Sequence, residues 1–373
     1  MSAPVPFLDL AAQQAEIADE VLAVWRDQLA SASFIGGPEV EAFEREYADY
    51  IGVDHVVGVS NGTEALELAY RGVGVGRGDE VIMPANTFIA TAEAVSRIGA
   101  VPVFVDVDDD HLLIDPDAVE AAITPRTKAV TPVHLFGQTA PMERLTAIAA
   151  KHGLDVVEDA AQSQGATGPE GRAGALSRVA ATSFYPGKNL GAAGDAGAVL
   201  TDDAGLAASI RNLACHGSST KYVHSRVGMN ARLDAVQAAL LRAKLRRLDG
   251  WNAARRTAAA WYEELLSGID AVRLPRVLPG NHDVWHLYVI RVADRDRVMT
   301  ELCAEGIGCG IHYPTIVPRT GAYAGLGYRR GQFPVAESAA SSILSLPMFP
   351  HLSHAQCRTV ADRLRTAVRG GDR

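Results

Sequence analysis

Apolar positions recur along this chain in two periods, and their alternation predicts the fold. Ile17, Val21, Trp25 and Leu29 stand at four-residue steps and predict a helix over residues 11–29 with one apolar face. Pro38 opens a second helix, with Val40, Phe43 and Tyr47 turned inward. Short runs rich in β-branched residues then read as strands over 55–60, 80–85, 101–107, 128–135, 154–159, 179–184 and 199–201. Helical stretches separate them: from Glu64, between Phe88 and Gly99, from Pro116, over 141–151 and near 204–214. Strands alternating with helices imply parallel pairing, a sheet covered on both faces and right-handed crossovers. The expected fold class is α/β.

A long helix is expected over 232–266, with Leu241, Leu245 and Leu248 on its apolar side and Arg242, Lys244, Arg246 and Arg247 as a solvated face. Residues 267–281 carry Pro275, Pro279 and two glycines and mark a boundary. The expected division is a large domain over 1–266, with an N-terminal helical segment, and a smaller α+β domain over 267–373. In the second, strands are expected at 284–292, 307–313 and 343–348, and helices at 294–306 and 353–368.

Composition narrows the partners. A formal charge of −9 argues against nucleic acid. No apolar run approaches the roughly 20 residues of a membrane helix, and Met1–Gln14 lacks the basic and apolar regions of a signal peptide. Cys215, Cys303, Cys309 and Cys357 have no metal-ligand spacing, so reduced thiols, no metal site and a cytoplasmic location are expected.

The candidate chemistry lies where strands end. Lys188 sits in a turn among four glycines, just after the apolar run Val179–Phe184. A lysine near a core is either a surface residue on a loop or an amine kept neutral for Schiff-base formation with a carbonyl cofactor. Upstream, the run that ends at Asp159 delivers a carboxylate. An Asp to hold a pyridine nitrogen protonated and a Lys to carry an aldehyde are what pyridoxal 5'-phosphate chemistry needs. Ser60-Asn61-Gly62-Thr63 turns from a strand into a helix, and is either an ordinary helix cap or a cradle for phosphate. Phe88 follows another strand end, either as a core residue or as a ring stacked on a ligand. Residues at such ends can converge on one rim of the sheet.

These stretches together resemble the DegT/DnrJ/EryC1/StrS family of pyridoxal-phosphate-dependent sugar aminotransferases, which have the fold-type I architecture. The matching pieces are Pro6-Phe7-Leu8-Asp9, Gly37-Pro38-Glu39-Val40, Ser60-Asn61-Gly62-Thr63, Pro84-Ala85-Asn86-Thr87-Phe88, Val133-His134-Leu135, Glu158-Asp159-Ala160-Ala161-Gln162, Lys188-Asn189-Leu190-Gly191 and Gly228-Met229-Asn230-Ala231-Arg232. The resemblance implies that Phe88 stacks on the cofactor, that Gln162 meets its ring hydroxyl, and that Ser183, beside Gly62 and Thr63, donates to its phosphate. It implies that Asn230 reaches the phosphate in a partner subunit, hence a homodimer with shared sites; read from the residues alone, Asn230 is equally a cap for the helix that follows. Tyr185, His312 and Tyr313 match positions near the sugar, and the residues themselves suit a core role equally. Arg232 is either a clamp for a carboxylate or a structural ion pair. One departure is Gly194-Asp195-Ala196-Gly197, where relatives often show Glu and Gly.

The reaction implied is transfer of an amino group, from glutamate by analogy, to a nucleotide-linked (dTDP) 3-keto- or 4-keto-6-deoxyhexose. Two other classes compete. A sugar dehydratase of this fold would carry histidine in place of Lys188. A regulator would bind the cofactor without turnover.

Overall fold

The structure is a computed structural model and describes residues 4–370. Its central sheet has seven strands: β1 (His55–Val59), β2 (Glu80–Pro84), β3 (Val101–Val105), β4 (Thr127–Val130), β5 (Asp155–Asp159), β6 (Val179–Ser183) and β7 (Gly197–Thr201). Their order is β1-β7-β6-β5-β4-β2-β3. Pairing is parallel from β6 through β5, β4 and β2 to β3, and β7 runs antiparallel to both β1 and β6. This is the mostly parallel α/β sheet that the alternating pattern implies. Helices cover both faces, so β2 and β7 are buried at every position. Helix Gly62–Gly72 crosses the middle of the sheet, where Leu66, Leu68 and Tyr70 join one core with Val157, Val179 and Val199. β5 lies at the centre and ends with Asp159 beside Ala181 of β6.

A small antiparallel sheet follows: β8 (Val272–Arg273), β9 (Tyr288–Val292) and β10 (Ile343–Leu346). Helix Leu248–Leu266 supplies Ala258, Ala259, Tyr262 and Leu266 to its core, together with helix His354–Arg369. The capping box of Ser353 and Gln356 starts that last helix. Leu287, Val289, Ile316 and Val317 instead join the core of the main sheet. The C-terminal part therefore presses on the rim where β2, β5 and β6 end.

Several boundaries differ from the sequence reading. The first helix is two, Leu10–Ala15 and Ala18–Ser31, and Leu29 is 68% exposed. Four-residue steps drift by about 40° each at ~100° per residue, so Leu29 lies about 120° from Ile17. Gln28 holds the buried position and donates to the Ala235 carbonyl at 2.9 Å. The long helix is also two, Ala235–Leu245 and Leu248–Leu266. Its expected solvated face is only partly so: Lys244 is 1% exposed, Arg242 and Arg247 are partly covered and pair with Glu39, Glu46 and Glu20, and Arg246 stays exposed, paired with Glu20. β4 stops at Val130, and Pro132, which has no N–H to donate, lies within the stretch expected to continue it. Residues 284–287 turn through an Asp283 carboxylate that accepts the Trp285 N–H, so β9 starts only at Tyr288. Residues 307–313 make single bridges, Ile307 to Val5 and Gly310 to Ser345. A Cβ at Gly308 would fall 2.4 Å from the Phe7 nitrogen, so the N-terminal segment runs close against this stretch. Helix Pro334–Ser342 had no counterpart in the sequence reading.

Candidate active site

A cavity of about 370 Å³ opens on the rim of the main sheet. Its wall includes Gly62, Thr63, Phe88, Asp159, Gln162, Ser183, Tyr185, Lys188, His312 and Tyr313. Asp159 ends β5, Ser183 ends β6, and Gly62 and Phe88 follow β1 and β2. One topological fact, that parallel strands end on the same edge, brings these residues together.

Lys188 is held by a tight turn after β6. Its backbone N–H donates to the Tyr185 carbonyl at 2.8 Å. A Cβ at Gly191 would lie 2.3 Å from the Pro186 oxygen, so the turn closes only over glycine. Burial lowers the Lys188 amine from 10.5 to about 8, and the charge of Asp159 offsets this only in part. The side chain makes no hydrogen bond or ion pair among the described residues. Asp159 is 5% exposed, and burial raises its carboxyl above the usual range. Against that act the Thr91 hydroxyl at 2.8 Å, the Ala161 N–H at 3.2 Å, and the charge of Lys188.

The other end of the cavity suits an anion. Asn61 accepts the Glu64 N–H at 2.8 Å and caps helix Gly62–Gly72, while the N–H groups of Gly62 and Thr63 donate to no described residue. They point from a helix N-terminus, where the dipole favours negative charge. A Cβ at Gly62 would lie 2.6 Å from the Ser183 Cβ, so glycine lets the Ser183 side chain stand against the turn. Between the two ends, Phe88 is 51% exposed, which sets aside its reading as a core residue. Its ring lies 5.4 Å from that of Tyr313. Gln162 accepts the Phe136 N–H at 2.8 Å and donates to the Tyr313 hydroxyl at 3.3 Å. His312 meets the Ser345 hydroxyl at 2.8 Å and stacks on Phe7, and burial pushes its imidazole down to about 4.

Asn230 and Arg232 do not line this cavity. They line a second, polar one of about 420 Å³, which shares Asn61 and Asp195 with the first. Asn230 is exposed and pairs with Cys215; the helix that follows is preceded by Asp234, so Asn230 does not cap it. Arg232 forms no ion pair among the described residues, and its buried Nε has no partner.

Thr91, His286 and the His134–Glu158 pair were missed by the sequence reading. Thr91 follows Thr87 by four residues across the start of a helix, a pair of hydroxyls on one face that sequence could have shown. His286 lines the cavity from the C-terminal part, and no local signal marks that approach. Its Nδ1 lies 3.2 Å from the Asn189 Oδ1, whose amide NH2 already donates to Asn252 and to the Val284 carbonyl. Nδ1 therefore carries the proton, and burial keeps the ring neutral, with Lys188 acting the same way. Beneath Asp159, His134 Nδ1 accepts the Ala140 N–H, so its Nε2 donates to Glu158 at 2.9 Å. Glu158 also accepts from Gly174, Leu176 and Ser177, so this buried anion is fully satisfied.

These residues fit pyridoxal phosphate: donors for a phosphate, an exposed flat ring, a buried carboxylate for a pyridine nitrogen, and an amine of lowered basicity. Comparison with known proteins decides the family, because the match covers residues 15–365. The chain belongs to the DegT/DnrJ/EryC1/StrS aminotransferase family. Aminotransferases of this family depend on pyridoxal phosphate. The chain is similar to a protein of Saccharopolyspora erythraea named erythromycin biosynthesis sensory transduction protein EryC1, 50% identical over 98% of this chain and 99% of that one. It is 49% identical to the dTDP-3-amino-3,4,6-trideoxy-alpha-D-glucose transaminase of Streptomyces venezuelae, over 97% of this chain and 95% of that one. Among solved structures it resembles DesV of S. venezuelae with a TM-score of 0.96 and 48% identity, covering 98% of each chain.

Proposed function

We propose that this aminotransferase of the DegT/DnrJ/EryC1/StrS family moves an amino group from glutamate to C3 of a dTDP-linked 3-keto-6-deoxyhexose. The observation that carries the chemistry is the cavity that contains both Lys188, at about 8, and the buried Asp159. The position of the new amine rests on the S. venezuelae relative, named for an amine at C3. A dehydratase of this fold would have histidine where Lys188 stands. The regulatory name of the S. erythraea relative favours a second reading, binding without turnover. The lysine, carboxylate and anion cradle are all present here, which supports catalysis instead.

Bound pyridoxal phosphate supplies an aldehyde that exchanges amines and a ring that accepts electrons. The chain does the rest. Lys188 holds the aldehyde at rest and, once displaced by the donor, moves a proton between the donor Cα and the cofactor C4′. Its lowered basicity leaves a useful fraction neutral near pH 8. Asp159 keeps the ring nitrogen protonated by its charge. Gly62, Thr63 and Ser183 bind the phosphate, Phe88 stacks on the ring, and Gln162 meets the ring hydroxyl. Tyr185, His312 and Tyr313 border the space for the sugar. After the keto-acid leaves, the same proton transfers run in reverse on the keto-sugar.

A partner subunit completes the reading. Asn230 is exposed and lies outside its own chain's cavity, which suits a contact with the phosphate bound by a second copy. Nearby apolar side chains are exposed too: Ile35, on the wall of the same cavity, at 55%, and Val227, three residues before Asn230, at 94%. Arg232 then serves the carboxylate of a donor or substrate. The domains are taken to divide at 266/267. A cytoplasmic location, where thiols stay reduced, belongs to the same reading.

The test is incubation with ¹⁵N-glutamate and a dTDP-3-keto-6-deoxyhexose, followed by NMR of the product. The expected result is ¹⁵N at C3 and release of 2-oxoglutarate. Label at C4 of a 4-keto substrate alone would overturn the position. No transfer to any nucleotide keto-sugar by cofactor-loaded protein would favour the regulator.

A further inference from the structure

Thr87 and Thr91 are 2% and 1% exposed, and both line the cavity. The Thr91 hydroxyl lies 2.8 Å from Asp159 Oδ2, and the Thr87 and Thr91 hydroxyls lie 2.8 Å apart. A carboxylate only accepts, so the single Thr91 proton goes to Asp159. Thr91 must then accept from Thr87, and the chain of donors runs Thr87 to Thr91 to Asp159. If Asp159 were protonated, the same chain would run backwards. The only other hydrogen bond to the Asp159 side chain among the described residues is the 3.2 Å contact from Ala161. Thr91 is therefore the stronger support for the anion, in a setting where burial favours the neutral acid.

We infer that Thr91 is a positioning residue for the cofactor: its hydroxyl, with its rotor set by Thr87, keeps Asp159 ionised and aimed before the cofactor's ring nitrogen arrives. The inference rests on the pyridoxal-phosphate reading and adds a residue that never needs to touch the cofactor. Other titratable groups face Asp159. Lys188 comes from the turn after β6, His134 from the segment after β4, Tyr70 from helix Gly62–Gly72 and Tyr313 from the C-terminal part. Burial keeps both tyrosines protonated, since it raises both phenols. His134 is already committed to Glu158 and Ala140. Lys188 acts on Asp159 through its charge alone and makes no hydrogen bond or ion pair with it among the described residues. Before the cofactor binds, Thr91 is therefore the side chain that donates to the anion.

The test uses full-length protein loaded with pyridoxal phosphate. Cofactor affinity is measured between pH 5 and 9 for the natural chain, Thr91→Val, Thr91→Ser and Thr87→Val. Loss of one hydrogen bond to a charged group predicts about tenfold weaker binding for Thr91→Val. Removing a support that lowers the Asp159 pKa also moves the acid limit of binding to higher pH. Thr91→Ser should restore both, because the hydroxyl matters and the methyl does not. Thr87→Val should give a smaller loss in the same direction. Unchanged affinity and acid limit in Thr91→Val would overturn the inference, as would a Thr91→Ser protein no better than Thr91→Val. Should Thr91→Val not fold, Thr91→Ser and Thr87→Val decide: natural affinity in the first and loss in the second support it, and any other pair overturns it. Failure of the natural chain to bind pyridoxal phosphate would instead sink the cofactor reading itself.

Discussion

Lys188 and Lys244 are both driven by burial from 10.5 to about 8, yet their surroundings differ. Lys188 closes a glycine turn at the rim of the sheet and faces a cavity that also holds Asp159. Lys244 is 1% exposed on helix Ala235–Leu245, between Ala243 and Leu245, and has no carboxylate partner among the described residues. It lines neither rim cavity. A lowered basicity alone reports burial. Chemistry also needs a space for the ligand and a charge placed to act on it, and only Lys188 has both.

The largest effect should come from Lys188→Ala. Activity should disappear together with the cofactor absorbance band near ~410–430 nm that an amine-bound aldehyde gives. A variant that kept both would erase the distinction between the two lysines. Asp159→Asn comes next: it keeps the shape and removes the charge, and turnover should fall by ~10²-fold or more while cofactor remains bound. A rate near that of the natural chain would mean that another group holds the ring nitrogen.

The second cavity offers a smaller effect. Asn230→Ala should weaken cofactor binding by about 0.5–1.5 kcal/mol, the worth of one neutral hydrogen bond. Mixing Lys188→Ala chains with Asn230→Ala chains puts both lesions in one site of a heterodimer and leaves the other intact. Activity above that of either parent supports shared sites, provided Asn230→Ala alone is well below the natural chain. Activity equal to the average, with exchange demonstrated, places Asn230 within its own chain.

Lys244→Met should leave turnover unchanged and alter only stability. A lysine whose folded pKa is lowered binds protons more weakly folded than unfolded. Its cost is complete below about pH 8 and fades as pH rises towards 10.5. The substitution should therefore stabilise the protein at pH 7 by about 1–3 kcal/mol and by less at pH 9.5, read from denaturant midpoints. A destabilised variant at pH 7 would show that the ammonium has a partner beyond the described residues.

Much of this site was legible because strand ends are local features. Asp159, Phe88 and Lys188 each follow an apolar run, and parallel order places such ends on one edge. What was not legible depends on contacts far apart in sequence. His286 enters from a segment about 100 residues after Lys188, and its tautomer is set by Asn189 and Asn252. The solvated face assigned to the helix expected over 232–266 holds for Arg246 but fails at Lys244, which is buried, and in part at Arg242 and Arg247, which pair with Glu20, Glu39 and Glu46 from earlier helices. Leu29 failed for a local reason, since a run of four-residue steps leaves the helix face that starts it. Thr91 was within reach, as the hydroxyl four residues past Thr87, but only its distance to Asp159 gives it meaning.

The most direct test of the central claim is borohydride reduction of the cofactor-loaded protein followed by peptide mapping. Reduction fixes the cofactor to the amine that carries it. The account predicts one modified peptide, containing Lys188, and loss of activity in proportion to its yield. Modification at Lys244 or any other lysine, with Lys188 free, would contradict it.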